Sequence, residues 1–453
     1  MNFKIPNNIQ QVLDILHKNH FEAYLVGGCV RDFLMNINPK DYDITTNALP
    51  NQIKEVFKDY KLINNNGEKH GTITVFINEP IEITTYRSES EYLDHRHPSK
   101  LEFSDSLYQD LSRRDFTMNA IAYDGKILVD PFNGIQDINN RIIKCVGNPN
   151  LRFEEDALRI LRAIRFAAKY NYTIELNTLE AMSIQAYSLT YLSKERIKSE
   201  LDKMIIYEGF IPLFKSYDII YILTHIIPEL KRIINFDQKS KYHKHDLWYH
   251  TASVIENVPA NSILKLSALF HDIGKVTKYT EEVDSDGIIR RHFINHAEES
   301  YMITKNILES LKYSNEEKEK ILFLVRYHDF AFSKSHIKRS INKLLQILPS
   351  KYRDELFYML IDIRKADRVD HIYYEPVIDL DKVIEAYNIA VNTGLVYSRN
   401  QLKINGNDIL NLGLKGPIIK EILNDCLNKI INDELTNDKN LLLNYIKSKY
   451  IIN

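Results

Sequence analysis

A chain of 453 residues with 44% hydrophobic and 26% charged side chains has the composition of a soluble globular protein, with length for roughly two to four domains. A net charge of −2 excludes a globally basic polyanion binder, so any nucleic-acid surface must be a local patch. Cys29, Cys145 and Cys426 are too dispersed for a disulfide framework or a metal-spaced set; with no signal-peptide opening and no 18-residue apolar run, the expected location is the cytoplasm, with no membrane partner.

Residues 1 to about 125 mix strands and helices around one small sheet. Residues 7–20 place Ile9, Val12, Leu13 and Leu16 on one side of a helix. Ala23–Val26 reads as a buried strand, Arg31–Met35 as a helix start and Tyr42–Thr45 as a second strand. Pro50 opens a helix through Phe57. Gly71–Ile77 and Ile81–Tyr86 read as strands joined by a hairpin at Glu79-Pro80. The polar, charged stretch 88–110 reads as a loop. From about 151 onward the pattern is helical, at 153–169, 194–207, 211–223, 247–258, 262–271, 298–312, 315–328, 338–347, 352–366, 378–392 and 417–432. No internal repeat or low-complexity linker interrupts it.

The stretch Leu25-Val26-Gly27-Gly28-Cys29-Val30-Arg31-Asp32 runs an apolar strand into two glycines and a helix. Paired glycines let a backbone approach phosphates, and helix-start amides favour anions. Arg31 can add charge there. Asp41 and Asp43 stand two apart on the second predicted strand, so both carboxylates share a face. Carboxylates that close call for a hard, oxygen-liganded cation such as Mg²⁺. In nucleotidyl transfer such a clamp activates the attacking oxygen and stabilises the leaving one. Glu82, on the polar side of Ile81-Glu82-Ile83-Thr84, is either a third such carboxylate or a solvent-facing strand acid.

Further along, Arg159, Arg162 and Arg165 step round a helix by roughly 60° each and make one cationic stripe. Ala157, Ile160, Leu161 and Ile164 lie opposite, facing a core, and Asp156 sits at the stripe's edge. An aspartate accepts from an exocyclic amino group, and an arginine donates to ring nitrogens or a carbonyl. An Asp/Arg pair can thus select C and A without a template, because U and G place a carbonyl where C and A carry the amine. The alternative is a solvated arginine face with ion pairs to Glu155 and Asp156.

These residues, with Arg113–Asp124 (RRDFTMNAIAYD), Asp130–Gly134 (DPFNG), Glu154–Phe166 (EEDALRILRAIRF) and Lys194-Glu195-Arg196-Ile197…Glu200-Leu201, resemble class II tRNA nucleotidyltransferases, the CCA-adding enzymes. They are also similar to bacterial poly(A) polymerases, which share that head. The resemblance implies Mg²⁺ on Asp41 and Asp43, and nucleotide contacts from Gly28, Arg31, Arg114, Asp156, Arg159, Arg162 and Arg165. Asp156 and Arg159 would read the base; Arg162 and Arg165 would contact phosphates or steady the pocket. Arg114 would touch the triphosphate, and Asp115 and Asn119 would fix loop geometry. Arg87–Pro98 looks like the flexible loop of enzymes that add the terminal A, which favours CCA or A addition over CC addition.

Tyr249-His250-Thr251 and Phe270-His271-Asp272-Ile273-Gly274-Lys275 resemble the HD metal-dependent phosphohydrolases, whose pattern is completed by a distant aspartate such as Asp367. His250, His271, Asp272 and Asp367 would bind a divalent metal (Mg, Mn, Ni or Co) able to activate water. His296 and His328 are extra candidates, as at sites that hold two metals; His243 and His245 are weaker ones. The tail Leu402–Pro417 looks like the C-terminal domain of HD-bearing CCA enzymes, where it would grip the acceptor arm of tRNA.

The expected fold is α+β: a nucleotidyltransferase head of sheet and helices (1–147), then an all-α body of neck (148–210), HD domain (211–375) and tRNA-binding tail (376–453). The expected activity is Mg²⁺-dependent CCA addition to tRNA from CTP and ATP, with Asp41, Asp43 and Glu82 as catalytic carboxylates. The rivals are an A-adding enzyme, a poly(A) polymerase, or an HD phosphohydrolase with an RNA-binding N-terminal half.

Overall fold

The computed structural model describes residues 3–63, 71–92, 98–370, 372, 378–394, 396–432 and 434–451. The chain divides into two compact units. The first comprises 1–236, 260–265 and 306–314, and the second 237–259, 266–305 and 315–453.

The first unit opens with α1 (Asn7–Lys18), whose buried Ile9, Val12, Leu13 and Leu16 each contribute about 1.5–3 kcal/mol. Then come β1 (Ala23–Val26), α2 (Gly28–Leu34), β2 (Asp43–Thr46), α3 (Pro50–Val56), β3 (Lys61–Ile63), β4 (Thr72–Ile77) and β5 (Glu79–Thr85). A hairpin of β6 (Arg87–Tyr92) and β7 (Pro98–Phe103) leads to α4 (Leu107–Ser112), β8 (Ala122–Tyr123), β9 (Leu128–Val129) and α5 (Gly134–Asn140). The main sheet has the order β3-β4-β5-β2-β1-β8-β9. β1 runs antiparallel to β2 with Val26 opposite Asp43, and β2 runs parallel to β5 with Asp43 opposite Glu82. The glycines after Val26 are thereby brought beside Asp43.

Helices complete this unit. β10 (Ile142–Ile143) and β11 (Thr173–Ile174) pair in parallel around α6 (Pro149–Glu155) and α7 (Leu158–Tyr170). α8 (Leu176–Ile184), α9 (Lys194–Met204), α10 (Phe210–Phe214) and α11 (Tyr217–Leu223) follow. The apolar side of α7, with Ile160, Leu161, Ala163, Ile164 and Ala167 buried, leaves its arginines on the remaining side of the helix. α9 and α10 pack on α7.

The second unit contains α12 (Leu247–Asn257), most of α13 (Ser262–Phe270), a hairpin of β12 (Thr280–Val283) and β13 (Ile289–His292), and the start of α14 (His296–Ser310). Then come α15 (Asn315–Tyr327), α16 (Ile337–Ile347), α17 (Arg353–Asp367), α18 (Leu380–Asn392), α19 (Gly406–Leu410), α20 (Ile418–Ile431) and α21 (Lys439–Tyr450). α17 packs against both α12 and α15. Among the described residues no helix is long and apolar enough to cross a membrane.

Several elements depart from the sequence reading. Residues 88–110 are mostly a strand pair and a helix; residues 93–97 of the expected loop lie outside the described residues. The expected 153–169 helix is two helices, because Asp156 adopts an extended conformation (φ −146°, ψ 101°). Its Oδ1 accepts from the Leu158 amide at 3.1 Å, the local side-chain bond by which aspartate interrupts a helix. The 211–223 pattern likewise breaks at Ser216, which precedes α11. The β4–β5 turn is at Asn78 (φ 64°), placing Glu79-Pro80 inside β5.

Candidate active site

Gly27 has φ 73° and ψ −126°, a conformation that side chains with a Cβ rarely adopt. A Cβ there would also lie 3.0 Å from Arg114 Nη1 and 3.9 Å from Asp43 Oδ2. Strand β1 therefore ends at a point where backbone, an arginine and a carboxylate converge. The Asp43 side chain opens to solvent, yet the protein around it desolvates its carboxyl and raises the pKa. Arg114 opposes that rise and the charge of Asp41 adds to it. Arg114 only partly offsets the burial of this carboxylate and the charge of its neighbour, and their oxygen atoms suit Mg²⁺.

Asp41 and Asp43 are both exposed, but β2 begins at Asp43, so strand alternation does not set the direction of Asp41. Glu82 is exposed beside Asp43 on the next strand. Among the described residues, the clusters of three or more converging ligand atoms both lie in the second unit. Glu82 stands in register with Asp43 on the neighbouring strand, at the usual strand spacing of about 4.8 Å.

Arg31 is buried beneath this turn, its Nη2 3.5 Å from the place a Cβ on Gly28 would take. Its guanidinium donates to Asp32 Oδ1 (Nε 2.9 Å, Nη2 2.7 Å) and to Asn119 Oδ1 (Nη1 2.7 Å). It also lies over the rings of Phe166 (5.3 Å) and Tyr170 (5.1 Å) on α7. Asn119 passes the connection on by donating to Asp115 Oδ1 at 2.9 Å. Asp115 Oδ2 then accepts from Arg162 Nε (2.8 Å) and Nη2 (2.6 Å). Burial alone would raise the Asp115 pKa, but Arg162 and the Asn119 bond outweigh it and hold the carboxyl down at about 2.

The stripe on α7 is matched by acids, each arginine holding one. Arg165 Nε donates to buried Glu200 at 2.5 Å and stacks 4.1 Å over Phe166. Arg159 Nη1 donates to Glu155 Oε2 at 2.6 Å, and its Nη2 to the Arg113 carbonyl at 2.9 Å. Asp156 does not pair with Arg159. Its carboxylate accepts from Arg196 Nη2 on α9, at 2.8 and 3.1 Å. The helix break turns Asp156 off the stripe and toward α9.

In the second unit His250, His271, Asp272 and Asp367 converge, from α12, the end of α13 and the end of α17. Their Nε2–Oδ distances run from 3.2 to 3.6 Å. Asp272, with His296 and His328, forms a second cluster: Oδ1 lies 3.1 Å from His296 Nε2 and 3.4 Å from His328 Nε2. One aspartate thus faces imidazoles with both oxygens. His271, His296 and His328 each direct Nδ1 at the carbonyl three residues earlier (Ala268, Phe293, Val325), at 2.7–2.8 Å. A neutral ring that donates from Nδ1 there would turn the lone pair of Nε2 toward Asp272, the tautomer that a metal ligand needs. His250 Nε2, His271 Nε2 and Asp272 Oδ1 are buried without a hydrogen-bond partner among the described residues. Buried polar atoms that approach one another without bonding fit a shared cation. Lys275 Nζ, 2.6 Å from Asp272 Oδ2, and Gln238, which accepts from that Nζ at 3.0 Å, close the cluster behind. His243 stacks edge-on to His250 at 4.8 Å, while His245 belongs to neither cluster.

Two residues absent from the sequence candidates stand out. Asp110 is fully buried against Arg113 and Arg114, and Arg196 holds Asp156. The one sequence signal for Asp110 is its i,i+3 and i,i+4 spacing to two arginines.

Residues 23–144 match the profile of the Poly A polymerase head domain, 171–234 that of the probable RNA and SrmB-binding site of polymerase A, and 293–446 that of tRNA nucleotidyltransferase domain 2 (putative). Two solved structures share the fold. The Bacillus stearothermophilus CCA-adding enzyme in complex with CTP has a TM-score of 0.65 at 22% identity, covering 98% of both chains. The Thermotoga maritima CCA-adding enzyme complexed with tRNA has a TM-score of 0.55 at 20% identity, covering 97% of this chain and 95% of that one. Sequence likeness runs the full length of two curated relatives. The CCA-adding enzyme of Staphylococcus epidermidis is 33% identical over 98% of both chains, and that of Staphylococcus saprophyticus 34% identical over 97% of both. The strand–turn–helix with its aspartates, the arginine-bearing helix behind it and this end-to-end likeness agree that the chain belongs to the CCA-adding enzyme family.

Proposed function

We propose that this chain adds CCA to the 3′ end of tRNA, without a template, from CTP and ATP. The observation that carries the reading is the meeting of Gly27, Asp43 and Arg114 in a chain alike along its whole length to CCA-adding enzymes. The terminal hydroxyl of tRNA attacks the α-phosphate; a new P–O bond forms, the bond to the β-phosphate breaks, and pyrophosphate leaves. Asp41 and Asp43 would hold Mg²⁺, which when bound supplies charge neutralisation and a more acidic hydroxyl. Gly27 and Gly28 keep the cleft floor free of side chains, and Arg114 offers its guanidinium to the triphosphate. Asp156, steadied by Arg196, accepts from the base amine, and Arg159 donates beside it. Arg162 and Arg165, held by Asp115 and Glu200, brace α7. Arg31, through Asp32 and Asn119, fixes the turn that carries Gly28. Glu82 supports Asp43 from the neighbouring strand.

The test uses tRNA transcripts lacking CCA, ending in C, or ending in CC, each with single nucleotides. Expected products are two C additions and then one A. Sustained A addition would replace this reading with poly(A) synthesis, and A addition to the CC end alone with an A-adding enzyme. Asp41→Ala or Asp43→Ala should lower incorporation by at least about 10²-fold. Unchanged incorporation would sink the site assignment.

The orphaned histidine and aspartate atoms of the second unit favour a second reading beside the first: an HD-type site for one or two divalent ions, able to hydrolyse phosphoesters. With Mn²⁺ or Ni²⁺, bis-p-nitrophenyl phosphate and 2′,3′-cyclic AMP are the probes. Hydrolysis lost in His271→Ala but kept in Asp41→Ala supports it; no hydrolysis with the metal bound rejects the enzymatic part.

A further inference from the structure

We propose that Asp110 is a positioning residue for nucleotide binding, fixing Arg114 against the Gly27–Asp43 cleft. The inference rests on the reading of Arg114 as a triphosphate contact. Asp110 sits near the end of α4 with no exposure to solvent. Its Oδ1 accepts from Arg113 Nε (3.0 Å) and Nη2 (2.7 Å), and from the Arg87 amide (3.3 Å) at the start of β6. Its Oδ2 accepts from Arg114 Nη2 (3.3 Å) and from Thr45 Oγ1 (3.2 Å). One buried carboxylate therefore ties together the β6–β7 hairpin, two consecutive arginines and the strand that begins with Asp43.

Arg113 and Arg114 both bond to this one carboxylate, and Arg114 also lies beside Gly27 and Asp43. Without the carboxylate the two cations would repel each other at close range, and Arg114 would lose the bond that fixes its Nη2 edge. Arg113 cannot drift freely either, since its carbonyl accepts from Arg159 on α7. Thr45 Oγ1 also lies 3.2 Å from the Thr84 carbonyl on β5, so its single hydroxyl proton is shared between that carbonyl and Asp110. A carboxylate placed only for fold stability would have no need to reach both the arginine over the cleft and the strand that bears Asp43.

The experiment measures KM and kcat for CTP and ATP, and inhibition by pyrophosphate, in Asp110→Asn, Arg114→Gln and the double variant. Asp110→Asn is expected to raise KM for both nucleotides about tenfold with a smaller change in kcat, and to weaken pyrophosphate inhibition in parallel. The double variant should be no worse than Arg114→Gln alone, the non-additivity of residues acting through one group. Additive effects, or a fall in kcat at unchanged KM, would overturn the proposal. If Arg114→Gln leaves KM unchanged, the triphosphate reading itself fails; if it raises KM and Asp110→Asn does not, only the positioning role fails. Should Asp110→Asn not fold, Thr45→Val removes one contact of the bracket. A rise in KM matched by weaker pyrophosphate inhibition then supports the role, and an unchanged KM rejects it.

Discussion

Buried carboxylates in the first unit are held by arginines, Asp110 by two and Asp115 by one. Asp115 shows how. Its folded pKa of about 2 lies below the ordinary aspartate value of 3.8, so the ionised form is the one that folding favours. That contribution is complete above the unfolded pKa and is lost as pH falls through the folded value. A shift of this size is worth roughly 2 kcal/mol at neutral pH. Asp115→Asn, which strands the Arg162 guanidinium, should destabilise the protein by about 3–5 kcal/mol at pH 7. Urea melts from pH 7 to pH 2 should show the gap to the parent protein narrowing below about pH 4. A gap constant across that range would mean that the pair contributes no pH-dependent stability. Asp43 behaves differently, because its pKa is raised: burial disfavours its charged form even with Arg114 nearby, so folding alone does not favour the ionised carboxyl.

At the scale of elements, the strand–turn–helix from Ala23 to Leu34 is the most demanding piece. Gly27→Ala meets two obstacles, the positive φ and the Arg114 guanidinium 3.0 Å away. The backbone strain costs about 1–3 kcal/mol. Displacing Arg114 should raise KM for CTP by about tenfold or more, with a readily measured drop in melting temperature. A Gly27→Ala protein with unchanged KM would mean that the turn does not set the arginine. This turn was legible in sequence because an apolar strand followed by Gly-Gly has few other uses. The helices were legible from their 3.6-residue apolar period, α1 and α7 above all. The break at Asp156 was not, because Phe153, Ala157, Ile160, Leu161 and Ile164 continue the period straight through it. Only the pull of the Leu158 amide and of Arg196, 40 residues away, shows that Asp156 leaves the helix. The β6–β7 pair was hidden because β6 is polar up to Tyr92 and the apolar residues of β7 are only Leu101 and Phe103, too few to set against the charged residues around them. Asp110 looked like one more surface acid, since its burial depends on Thr45 and Arg87, which no local pattern connects to it.

For the whole molecule, the Asp41 and Asp43 carboxylates of the first unit and the histidine–aspartate clusters of the second should respond to cations independently. Mn²⁺ or Ni²⁺ that binds the folded second unit stabilises it by mass action, about 2.7 kcal/mol at a free concentration 100 times the dissociation constant. Calorimetry should therefore show a metal-dependent rise in melting temperature that His271→Ala and Asp272→Ala abolish. Both variants should still incorporate CTP and ATP in Mg²⁺. A full thermal shift in His271→Ala would place the ion elsewhere. Retention of nucleotide addition matters equally, because it separates the two chemistries that one polypeptide would carry.

The Asp156–Arg196 pair has a consequence for redesign. On the proposed reading, the letter that the protein writes depends on an acceptor whose bearing is set from another helix. Converting Asp156 to an amide, to welcome uracil or guanine, leaves Arg196 a single neutral carbonyl oxygen in place of two carboxylate oxygens. The weaker hold lets the amide turn over, so that its oxygen or its nitrogen can present itself to either class of base. A one-letter change should therefore blur the alphabet, and a clean change of alphabet requires rewriting Asp156 and Arg196 together.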